Sequence, residues 1–559
     1  MPRPWLRPRS VRLLFALAFV PLAVAAACSA TSSSKRGGHG NNGSGADGSG
    51  AGDGTGGTGF FEGGTGGFTG DPKTCEQAAQ AHTYIGCDFW PTVTANNVWS
   101  IFDYAVVIAN AGDEPADATV TRGGQSVASV QVAPNGLQTI YLPWVPELKG
   151  PDADVCGSAT PVSSSARVPS GAYHLVTTRP ITVYQFNALE YTPQGGPPNK
   201  NWSSCPGNQI CPLMLEPVGC FSYSNDASLL LPATAMTTNY RVTASAGWQL
   251  ANIGGYITIT GTADGTNVSV KLSPSGQLIA GGGIPDTPPG GTATFSLGAG
   301  EVAQLVAPPS ADLSGSLVQA SAPVQVITGM PCVNVPPDVP ACDHIEESVF
   351  PAETLGQHYF VVQPSGPAGN VVGHQVRIYG NVDGTALSYP AGQPPGAPGA
   401  INAGQVVDLG IVNMDFEVVG DKSFAVASFL MGGELVDPQG EIAKKKGDPA
   451  QSLATAVEQF RTKYVFLAPL DYDVNFVFVI MPAGTTLTLD GAPVNAVPAP
   501  IGGSSFGVAR VQLGPGSGGA HVLTATSPVG IQVAGYGAYT SYYYPGGLDL
   551  KMIAPPPVK

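Results

Sequence analysis

The sequence predicts an all-β protein: about four tandem antiparallel β-sandwich-like units that follow a disordered Gly-rich tether. Short runs of alternating or β-branched residues recur along the chain between Gly, Pro and Asn, which is the pattern of strands and turns. The 559 residues include 74 Gly and 52 Pro, which makes turns frequent and disfavours long helices. The same order of strands recurs four times, which indicates a repeated unit. A β-propeller-like arrangement is the alternative architecture.

The first 27 residues have the pattern of a signal peptide. Four arginines before residue 13 precede an apolar run over residues 11–27, which is too short for a spanning helix of the mature protein. The run ends in Ala25-Ala26-Ala27-Cys28, which resembles a bacterial lipoprotein box whose Cys is lipidated and becomes the new N-terminus. Ser29 after Cys28, in place of Asp, favours the outer membrane in a Gram-negative cell, so the expected location is an outer membrane or cell surface lipoprotein. Ordinary signal-peptidase cleavage, which gives a secreted protein, is the alternative.

Residues 28–72 form the tether. They are dominated by Gly, Ser, Asp and Thr, so they lack the apolar side chains that a folded core requires. A flexible chain beside a lipidated Cys28 would hold the folded region away from a membrane. The sequence therefore predicts an exported protein attached to a membrane through its N-terminus.

Four Tyr-led strands mark the repeats. They are Tyr84-Ile-Gly, Tyr240-Arg-Val, Tyr359-Phe-Val and Tyr464-Val-Phe. Their positions predict one unit at residues 73–225 with a Cys-rich insertion, and further units at 226–345, 346–440 and 441–559. The last unit is predicted to begin with a short helix, because Asp448 and Pro449 suit a helix N-cap and first turn and precede apolar residues at helical spacing.

Asp-Gly pairs occur at equivalent places in two of the repeats. Asp264-Gly265 and Asp383-Gly384 each lie between two alternating runs. Both residues of an Asp-Gly pair can take the positive φ that a two-residue hairpin turn requires. The sequence therefore predicts a β-hairpin at each pair.

The start of the folded region carries a family resemblance. Cys75-Glu-Gln-Ala-Ala is followed by Tyr84-Ile-Gly-Cys87-Asp-Phe-Trp90-Pro, and then by recurring Gly-Glu-Val…Leu and Ser-x-Pro-Val-x-Val strands. Together these resemble the IgGFc-binding protein N-terminal domain family over roughly residues 75–550. That family is named for a large animal mucus protein whose N-terminal region binds immunoglobulin Fc, and its bacterial members look like secreted or lipid-anchored surface proteins. The resemblance implies extracellular binding or adhesion, and it assigns no residue roles in this chain.

The cysteine count fits an exported protein. With Cys28 lipidated, eight of the nine cysteines remain: Cys75, Cys87, Cys156, Cys205, Cys211, Cys220, Cys332 and Cys342. An even number in an oxidising compartment predicts four disulfides. Cys75–Cys87 and Cys332–Cys342 are the expected local pairs, and the other connectivity stays open. A zinc site is the alternative, although Cys205 and Cys211 lack both the C-x2-C spacing and a nearby His.

Composition and motifs exclude several function classes. The net charge is −15, with 24 Lys and Arg against 39 Asp and Glu, so a nucleic-acid partner is not expected. None of the seven His belongs to a His-Glu-x-x-His motif, and no Gly-x-Ser-x-Gly motif has a strand–turn–helix context. The sequence therefore predicts no catalytic residues, no metal and no cofactor. A secreted hydrolase is kept as an alternative.

The densest ionisable cluster of the sequence surrounds His344. It also contains Asp343, Glu346 and Glu347, beside Cys342. We expect it to form the solvated rim of a disulfide loop, with a metal-binding or catalytic role as the alternative. Two pairs of carboxylates in predicted loops are also expected to be solvated.

Those two pairs are Asp152 with Asp154, and Asp471 with Asp473. Carboxylates and loop carbonyls together can ligate Ca²⁺, but neither pair has the spacing of an EF-hand loop. We expect both pairs to solvate loops, and calcium binding is the alternative.

Aromatic residues are the candidates for ligand binding. They form two groups, Trp90, Trp99, Trp144, Trp202 and Trp248, and Tyr536, Tyr539, Tyr542, Tyr543 and Tyr544. Exposed rings on a rigid β-scaffold can stack on sugars or anchor a protein, whereas buried rings would only pack the core. The sequence thus predicts a cell-surface, lipid-anchored binding or adhesion protein that recognises an extracellular protein or glycan. A structural envelope spacer is the alternative.

Overall fold

The computed structural model describes residues 71–557 except 199, 471 and 515–518. The predicted signal peptide, Cys28 and nearly all of the tether lie outside the described residues. Among the described helices, none combines the length and the apolar character needed to cross a membrane. The α-helices are short: α1 (Cys75–Ala81), α2 (Pro146–Lys149) and α3 (Gly433–Val436). Single 3-10 turns occur at Trp202–Ser204, Pro206–Asn208, Ala233–Ala235, Gln249–Ala251, Ala352–Thr354, Ile442–Lys444 and Val457–Gln459.

The described strands fall into four consecutive groups, here called modules 1 to 4. Module 1 contains β1 (Gly86–Phe89), β2 (Tyr104–Ala109), β3 (Ala116–Arg122), β4 (Gln125–Val132), β5 (Leu137–Leu142), β6 (Ala166–Val168), β7 (His174–Asn187), β8 (Ile210–Cys211), β9 (Glu216–Pro217) and β10 (Ala227–Leu229). Module 2 contains β11 (Asn239–Arg241), β12 (Tyr256–Gly261), β13 (Thr266–Lys271), β14 (Thr292–Leu297), β15 (Val302–Val306), β16 (Leu317–Ala320), β17 (Val324–Val333) and β18 (Asp343–Ser348).

The other two modules follow in the same way. Module 3 contains β19 (His358–Val361), β20 (His374–Gly380), β21 (Thr385–Ser388), β22 (Ala400–Ile401), β23 (Val406–Val412), β24 (Phe416–Gly420), β25 (Phe424–Phe429) and β26 (Gln451–Leu453). Module 4 contains β27 (Arg461–Ala468), β28 (Val474–Pro482), β29 (Leu487–Leu489), β30 (Ala492–Pro493), β31 (Ala499–Pro500), β32 (Phe506–Leu513), β33 (Gly519–Gly537) and β34 (Thr540–Pro545). The prediction of an all-β fold is confirmed.

All four modules share one topology of two antiparallel sheets. The first sheets have the orders β1-β7-β3-β4, β11-β16-β13-β14, β19-β24-β21-β22 and β27-β33-β29-β30. The second sheets have the orders β5-β2-β7-β10, β15-β12-β17-β18, β23-β20-β25-β26 and β32-β28-β33-β34. Strand β6 of the module 1 segment pairs with β15 at the edge of the module 2 sheet, and β31 pairs with β32 in module 4. One long strand runs through both sheets in modules 1 and 4, and it is divided into two strands in modules 2 and 3. Eight strand positions thus recur in one order, with one long strand filling two of them in modules 1 and 4, which supports the predicted sandwich-like repeat.

The final strands of the four modules meet along one axis. Strand β10 contacts β18 and β34, and β26 also contacts β18 and β34. The arrangement of the modules is therefore propeller-like, while each module is sandwich-like. The two architectures considered from the sequence describe two levels of the same molecule.

One carboxylate connects all four axial strands. The buried Asp226 accepts backbone N–H bonds from Ala227 of β10 (2.9 Å), Glu346 of β18 (3.1 Å), Gln451 of β26 (3.0 Å) and Tyr543 of β34 (3.2 Å). These four amides would otherwise be buried donors at the centre of the molecule, where an unpaired donor is costly. Asp226 therefore satisfies one donor from every module.

Three of the four marker tyrosines occupy equivalent buried positions. Each hydroxyl accepts the N–H of the residue three positions earlier and donates to a carbonyl of the long strand: Tyr240 between Thr237 and Val324, Tyr359 between Gly356 and Phe424, and Tyr464 between Arg461 and Val529. The ring fills the core of the module while the hydroxyl pairs two backbone groups. This shared bonding explains why the Tyr-led strand recurs.

Tyr84 is not the fourth member of this set. The strand register places Phe89 at the equivalent position. In β1, Gly86 pairs with Ile181 and Phe89 with Leu175. In β27, Arg461 pairs with Val529 and Tyr464 with Leu523, which is the same spacing on both strands. Tyr84 instead accepts the N–H of Val465 at 3.0 Å and so joins module 1 to module 4. The prediction that Tyr84 leads the first repeat is wrong, because the equivalent aromatic residue of module 1, Phe89, lies five residues later.

The end of the described chain closes the circle of modules. Tyr84 donates its N–H to the Leu548 carbonyl at 3.2 Å, and Leu550 donates to the His82 carbonyl at 2.8 Å. The Tyr184 hydroxyl adds a bond to the Val465 carbonyl at 3.2 Å. Module 1 and module 4 are therefore joined by backbone and side-chain bonds.

The Asp-Gly pairs do not form the predicted hairpins. Strands β12 and β13, on either side of Asp264-Gly265, lie in different sheets, and the same holds for β20 and β21 around Asp383-Gly384. Gly265 and Gly384 have positive φ (72° and 61°), but the two Asp residues do not. Asp264 accepts the Ala299 N–H at 2.9 Å, which anchors the turn to a neighbouring loop. The chain crosses between sheets here because both strands need a facing sheet to bury their apolar sides.

The predicted helix at residues 448–460 is also absent. The segment contains β26, which pairs with β25, and a 3-10 turn at Val457–Gln459. Asp448 does not cap a helix, since its N–H donates to Ser541 Oγ at 2.9 Å and its side chain is buried. Local helix propensity is worth little beside a fully buried strand pairing at the axis.

Candidate binding site at the end of the axis

A cavity of about 750 Å³ lies where the axial strands begin. It is lined by the residues that immediately precede these strands: Ser222 to Ser224 before β10, Ala341 and Cys342 before β18, Asp448 before β26, and Tyr539 before β34. Loops of modules 1 and 2 add Asn97, Trp99, Trp248 and Asn334. The propeller-like arrangement thus brings distant segments of the chain to one site.

Disulfides fix the loops around the cavity. The eight cysteines of the described region form Cys75–Cys87, Cys156–Cys211, Cys205–Cys220 and Cys332–Cys342. Both expected local pairs are formed. Cys156, Cys332 and Cys342 line the cavity. The zinc alternative is therefore replaced by a covalent framework of loops.

A hairpin with an exposed apolar tip stands beside the cavity. Strands β8 and β9 pair through Cys211 and Glu216, and Cys211 is bonded to Cys156. The apolar side chains of this hairpin have large exposed fractions: Ile210 65%, Leu213 84%, Met214 60% and Leu215 81%. Met214 also lines the cavity. A cluster of exposed apolar side chains on a fixed loop is typical of an interaction surface.

Four aromatic side chains form much of the cavity wall. Each directs its polar group to a backbone carbonyl: Trp99 to Ala153 (3.1 Å), Tyr223 to Val218 (2.5 Å), Trp248 to Pro337 (3.0 Å) and Tyr539 to Ile442. The ring faces of Tyr223, Trp248 and Tyr539, which are partly exposed, are therefore the surfaces available to a ligand, whereas Trp99 is only 2% exposed. Tyr223 was missed from the sequence because nothing in the Ser-Tyr-Ser stretch of the Cys-rich insertion distinguishes it.

The structure divides the aromatic residues selected from the sequence. Trp99, Trp248 and Tyr539 line the cavity, whereas Trp90 stacks on His174 with ring centroids 4.1 Å apart. The remaining C-terminal tyrosines, Tyr536, Tyr542, Tyr543 and Tyr544, are fully buried. They cannot form an exposed binding edge, because β34 and the end of β33 lie in the centre of the molecule. These four rings pack the core, which is the other role considered for the aromatic residues from the sequence.

The acidic cluster around His344 is buried and not a solvated rim. Asp343, His344, Glu346 and Glu347 belong to the axial strand β18, and all are at most 1% exposed. Glu346 accepts a bond from Asn187 Nδ2 at 2.8 Å. Burial and the neighbouring Asp226 raise the pKa of Glu347 well above its ordinary value. The position of this strand at the axis, and not its charge, decides its environment.

Asp343 and Asp448 form a pair beneath the cavity. Burial raises the pKa of Asp343 well above its ordinary value, and the charge of Asp448 raises it further. Burial also raises the pKa of Asp448. Asp343 accepts the Ser541 N–H at 3.3 Å, and only Asp448 of the two reaches the cavity wall. The pair therefore places carboxyl oxygens at the end of the axis.

The described carboxylates for which calcium was the alternative accept hydrogen bonds from protein donors. Asp152 accepts bonds from Ser100 N (2.8 Å) and Lys149 Nζ (2.6 Å), and Asp154 accepts the Cys156 N–H at 2.8 Å. Asp473 accepts the Tyr191 hydroxyl, and Asp471 lies outside the described residues. Within the described ranges, no group of three or more His, Cys, Asp or Glu residues is placed to hold a metal ion.

Comparison with known proteins assigns the family. Residues 226–535, more than half of the chain, match the model of the IgGFc binding protein family. The IgGFc-binding protein of Homo sapiens is 28% identical over 320 residues, which is 57% of this chain and 6% of the human protein. The match therefore spans only a small part of that relative.

Solved structures give weaker likenesses. An anti-sigma factor domain-containing protein from Clostridium clariflavum is 12% identical, with 54% of this chain and 83% of that chain covered and a TM-score of 0.10. A GH78 family rhamnosidase of Bacillus sp. GL1 is 10% identical, with 82% of this chain and 55% of that chain covered and a TM-score of 0.11. These scores carry no structural argument. On the match over residues 226–535, the chain belongs to the IgGFc-binding protein family.

Proposed function

We propose that the protein is an exported, lipid-anchored binding protein that recognises an extracellular protein at the end of the axis. The observation that carries this proposal is the exposed apolar hairpin tip at Leu213, Met214 and Leu215, held by a disulfide beside the cavity. Apolar side chains on a loop whose backbone is held before binding lose less conformational entropy in a complex. They would supply buried contact area next to a concave site that can accept a side chain of the partner.

Family membership supports binding as the type of activity. The family and its human relative are named for binding to immunoglobulin Fc, which is an extracellular protein. Immunoglobulin Fc is therefore the first probe for this chain, within a wider set of extracellular proteins. A glycan ligand is the other outcome that the assay has to distinguish.

The cysteines support export and anchoring. Four disulfides suit an oxidising compartment outside the cytoplasm, and they leave Cys28 as the ninth cysteine. Lipidation of Cys28 would attach the folded region through residues 29–72. Mass spectrometry of the mature N-terminus tests this, and an unlipidated Cys28 would contradict the anchor without touching the binding proposal.

The binding proposal is tested on arrays of extracellular proteins, including Fc, and of glycans. We expect the protein to retain at least one protein, and the double variant Leu213→Ser/Leu215→Ser to bind it at least tenfold more weakly. Val497→Ser is the matched control, because Val497 is 91% exposed and does not line the cavity. Failure to retain any protein, or equal binding by the double variant, would refute the proposal.

A further inference from the structure

Three residues of the cavity wall have a buried side-chain oxygen without a hydrogen-bond donor. Among the described residues that line it, Asn97 Oδ1, Asn334 Oδ1 and Asp448 Oδ1 are buried and have no hydrogen-bond partner. All three atoms are acceptors, and a buried acceptor without a donor is unfavourable. A ligand that satisfies them has to bring N–H or O–H groups.

The orientation of Asn97 is fixed by its other atoms. Its Nδ2 donates to the carbonyls of Pro151 (3.0 Å) and Thr160 (2.8 Å). Rotation of the amide would break both bonds, so the oxygen is the atom that stays without a partner. Asp343 Oδ1, beneath Asp448, is a further buried oxygen without a partner in the described region. The unpaired atoms are thus a consistent set of oxygens.

Positive charge is missing from the same wall. The described lining residues include the carboxyl of Asp448 but no Lys, Arg or His. Lys445, close to Tyr539 in the chain fold, donates to Glu434 and is already paired. Asp343 and Asp448 oppose each other's ionisation, and a cation in the cavity would relieve that opposition. The site therefore favours a cationic ligand.

The aromatic wall distinguishes between kinds of cation. A calcium ion takes six to eight oxygens at short range, and ring faces contribute none of them. A guanidinium is flat, carries five N–H donors and stacks on aromatic rings. Trp248, Tyr223 and Tyr539 present such rings, since their polar groups are bonded to carbonyls. Oxygens together with ring faces match the guanidinium.

We infer that the cavity binds an arginine side chain of the partner, whose guanidinium donates to Asp448, Asn97 and Asn334 and stacks on the aromatic wall. The inference rests on the proposed function in assigning the arginine to an extracellular protein. The apolar hairpin tip would then contact the surface around that arginine. Recognition would combine one buried cation with an apolar rim.

The test uses the full mature protein and two short peptides, acetyl-Gly-Arg-Gly-amide and the same peptide with citrulline, which is neutral and nearly isosteric. Binding is followed by calorimetry and by tryptophan fluorescence, because Trp99 and Trp248 line the cavity. We expect the citrulline peptide to bind at least tenfold more weakly. Asp448→Asn should weaken only the arginine peptide, by at least tenfold, and Trp248→Leu should weaken it severalfold. Asp286→Asn, an exposed site away from the cavity, should change nothing.

Three results would overturn the inference: equal affinity for the two peptides, no binding of either peptide, or saturable binding of Ca²⁺ alone that Asp448→Asn abolishes. Thermal unfolding of each variant shows whether it is folded. The two proposals fail separately. If Leu213→Ser/Leu215→Ser loses protein binding but the wild type does not bind the arginine peptide, only the arginine assignment is refuted. Arginine-peptide binding without any retained protein refutes only the proposed function.

Discussion

Replacement of Asp226 by Asn should destabilise the whole molecule. Each carboxylate oxygen of Asp226 accepts two backbone N–H bonds, Oδ1 from Ala227 and Tyr543, and Oδ2 from Glu346 and Gln451. Asn keeps one oxygen and turns an NH₂ group toward the other two donors. Two amides at the centre would then lack an acceptor and face another donor.

The magnitude follows from the bonds that are lost. A hydrogen bond to a charged group contributes about 1.5–3 kcal/mol, so the loss of two lowers the free energy of unfolding by about 3–6 kcal/mol. Burial raises the pKa of Asp226 and the backbone amides that donate to it act in the opposite direction. Because Asn avoids the cost of a buried charge, the lower half of this range is expected.

Urea unfolding of the oxidised protein at pH 7, followed by tryptophan fluorescence, measures the change. Asp383→Asn is the matched control, because Asp383 is exposed and accepts one backbone bond, from Ala403 at 3.0 Å. We expect the control to lose less than about 1 kcal/mol. If Asp226→Asn stays within about 1 kcal/mol of the wild type, the four bonds do not stabilise the axis and the reasoning is refuted.

Three further predictions concern stability. Tyr240→Phe removes the hydroxyl that joins the Thr237 N–H to the Val324 carbonyl, while Phe89 shows that a ring without the hydroxyl fits the equivalent position. The free energy of urea unfolding should fall by about 1–3 kcal/mol, and an unchanged midpoint would contradict this. Burial lowers the pKa of His374 to about 3, so the unfolded chain takes up a proton below about pH 6.5 while the folded protein does not. The contribution of His374 to the free energy of unfolding is complete above about pH 6.5 and is lower by about 2 kcal/mol at pH 5. His374→Leu should abolish that difference between urea unfolding at pH 7 and at pH 5. The same change with pH in the variant and in the wild type would refute this prediction. Cys156→Ser with Cys211→Ser opens a crosslink over 55 residues, which should cost about 4 kcal/mol and speed chymotrypsin cleavage of the hairpin tip; unchanged cleavage would show that the disulfide does not fix it.

The repeated module could be predicted from the sequence because its signals are local. Alternation, turn residues and the Tyr-led strands recur within each module, and three of the four tyrosines share one bonding pattern. The fourth was misplaced because Tyr84 resembles the others in sequence but Phe89 takes the register position. The spacing between similar residues does not reveal that the equivalent position of module 1 lies five residues after Tyr84.

The axis and its cavity could not be predicted, because they join residues far apart in the chain. Nothing in the local sequence relates Asp226 to Gln451 or Tyr543. The charged stretch at Asp343 and His344 reads as solvent-facing by composition, yet its strand is central and buried. Asp448 has the local sequence of a helix cap, yet it lies beside Ser541 at the axis, because its environment is set by the assembly of the four modules.

The pairing of residues 548 and 550 with residues 84 and 82 has a consequence for folding. Synthesis produces Tyr84 long before the segment that pairs with it, because the strands of all four modules lie between them. Until that segment is in place, Tyr84 lacks its backbone partner and the circle of modules stays open. Closure of the circle would therefore be a late step, and a chaperone or protease would meet an open form before it.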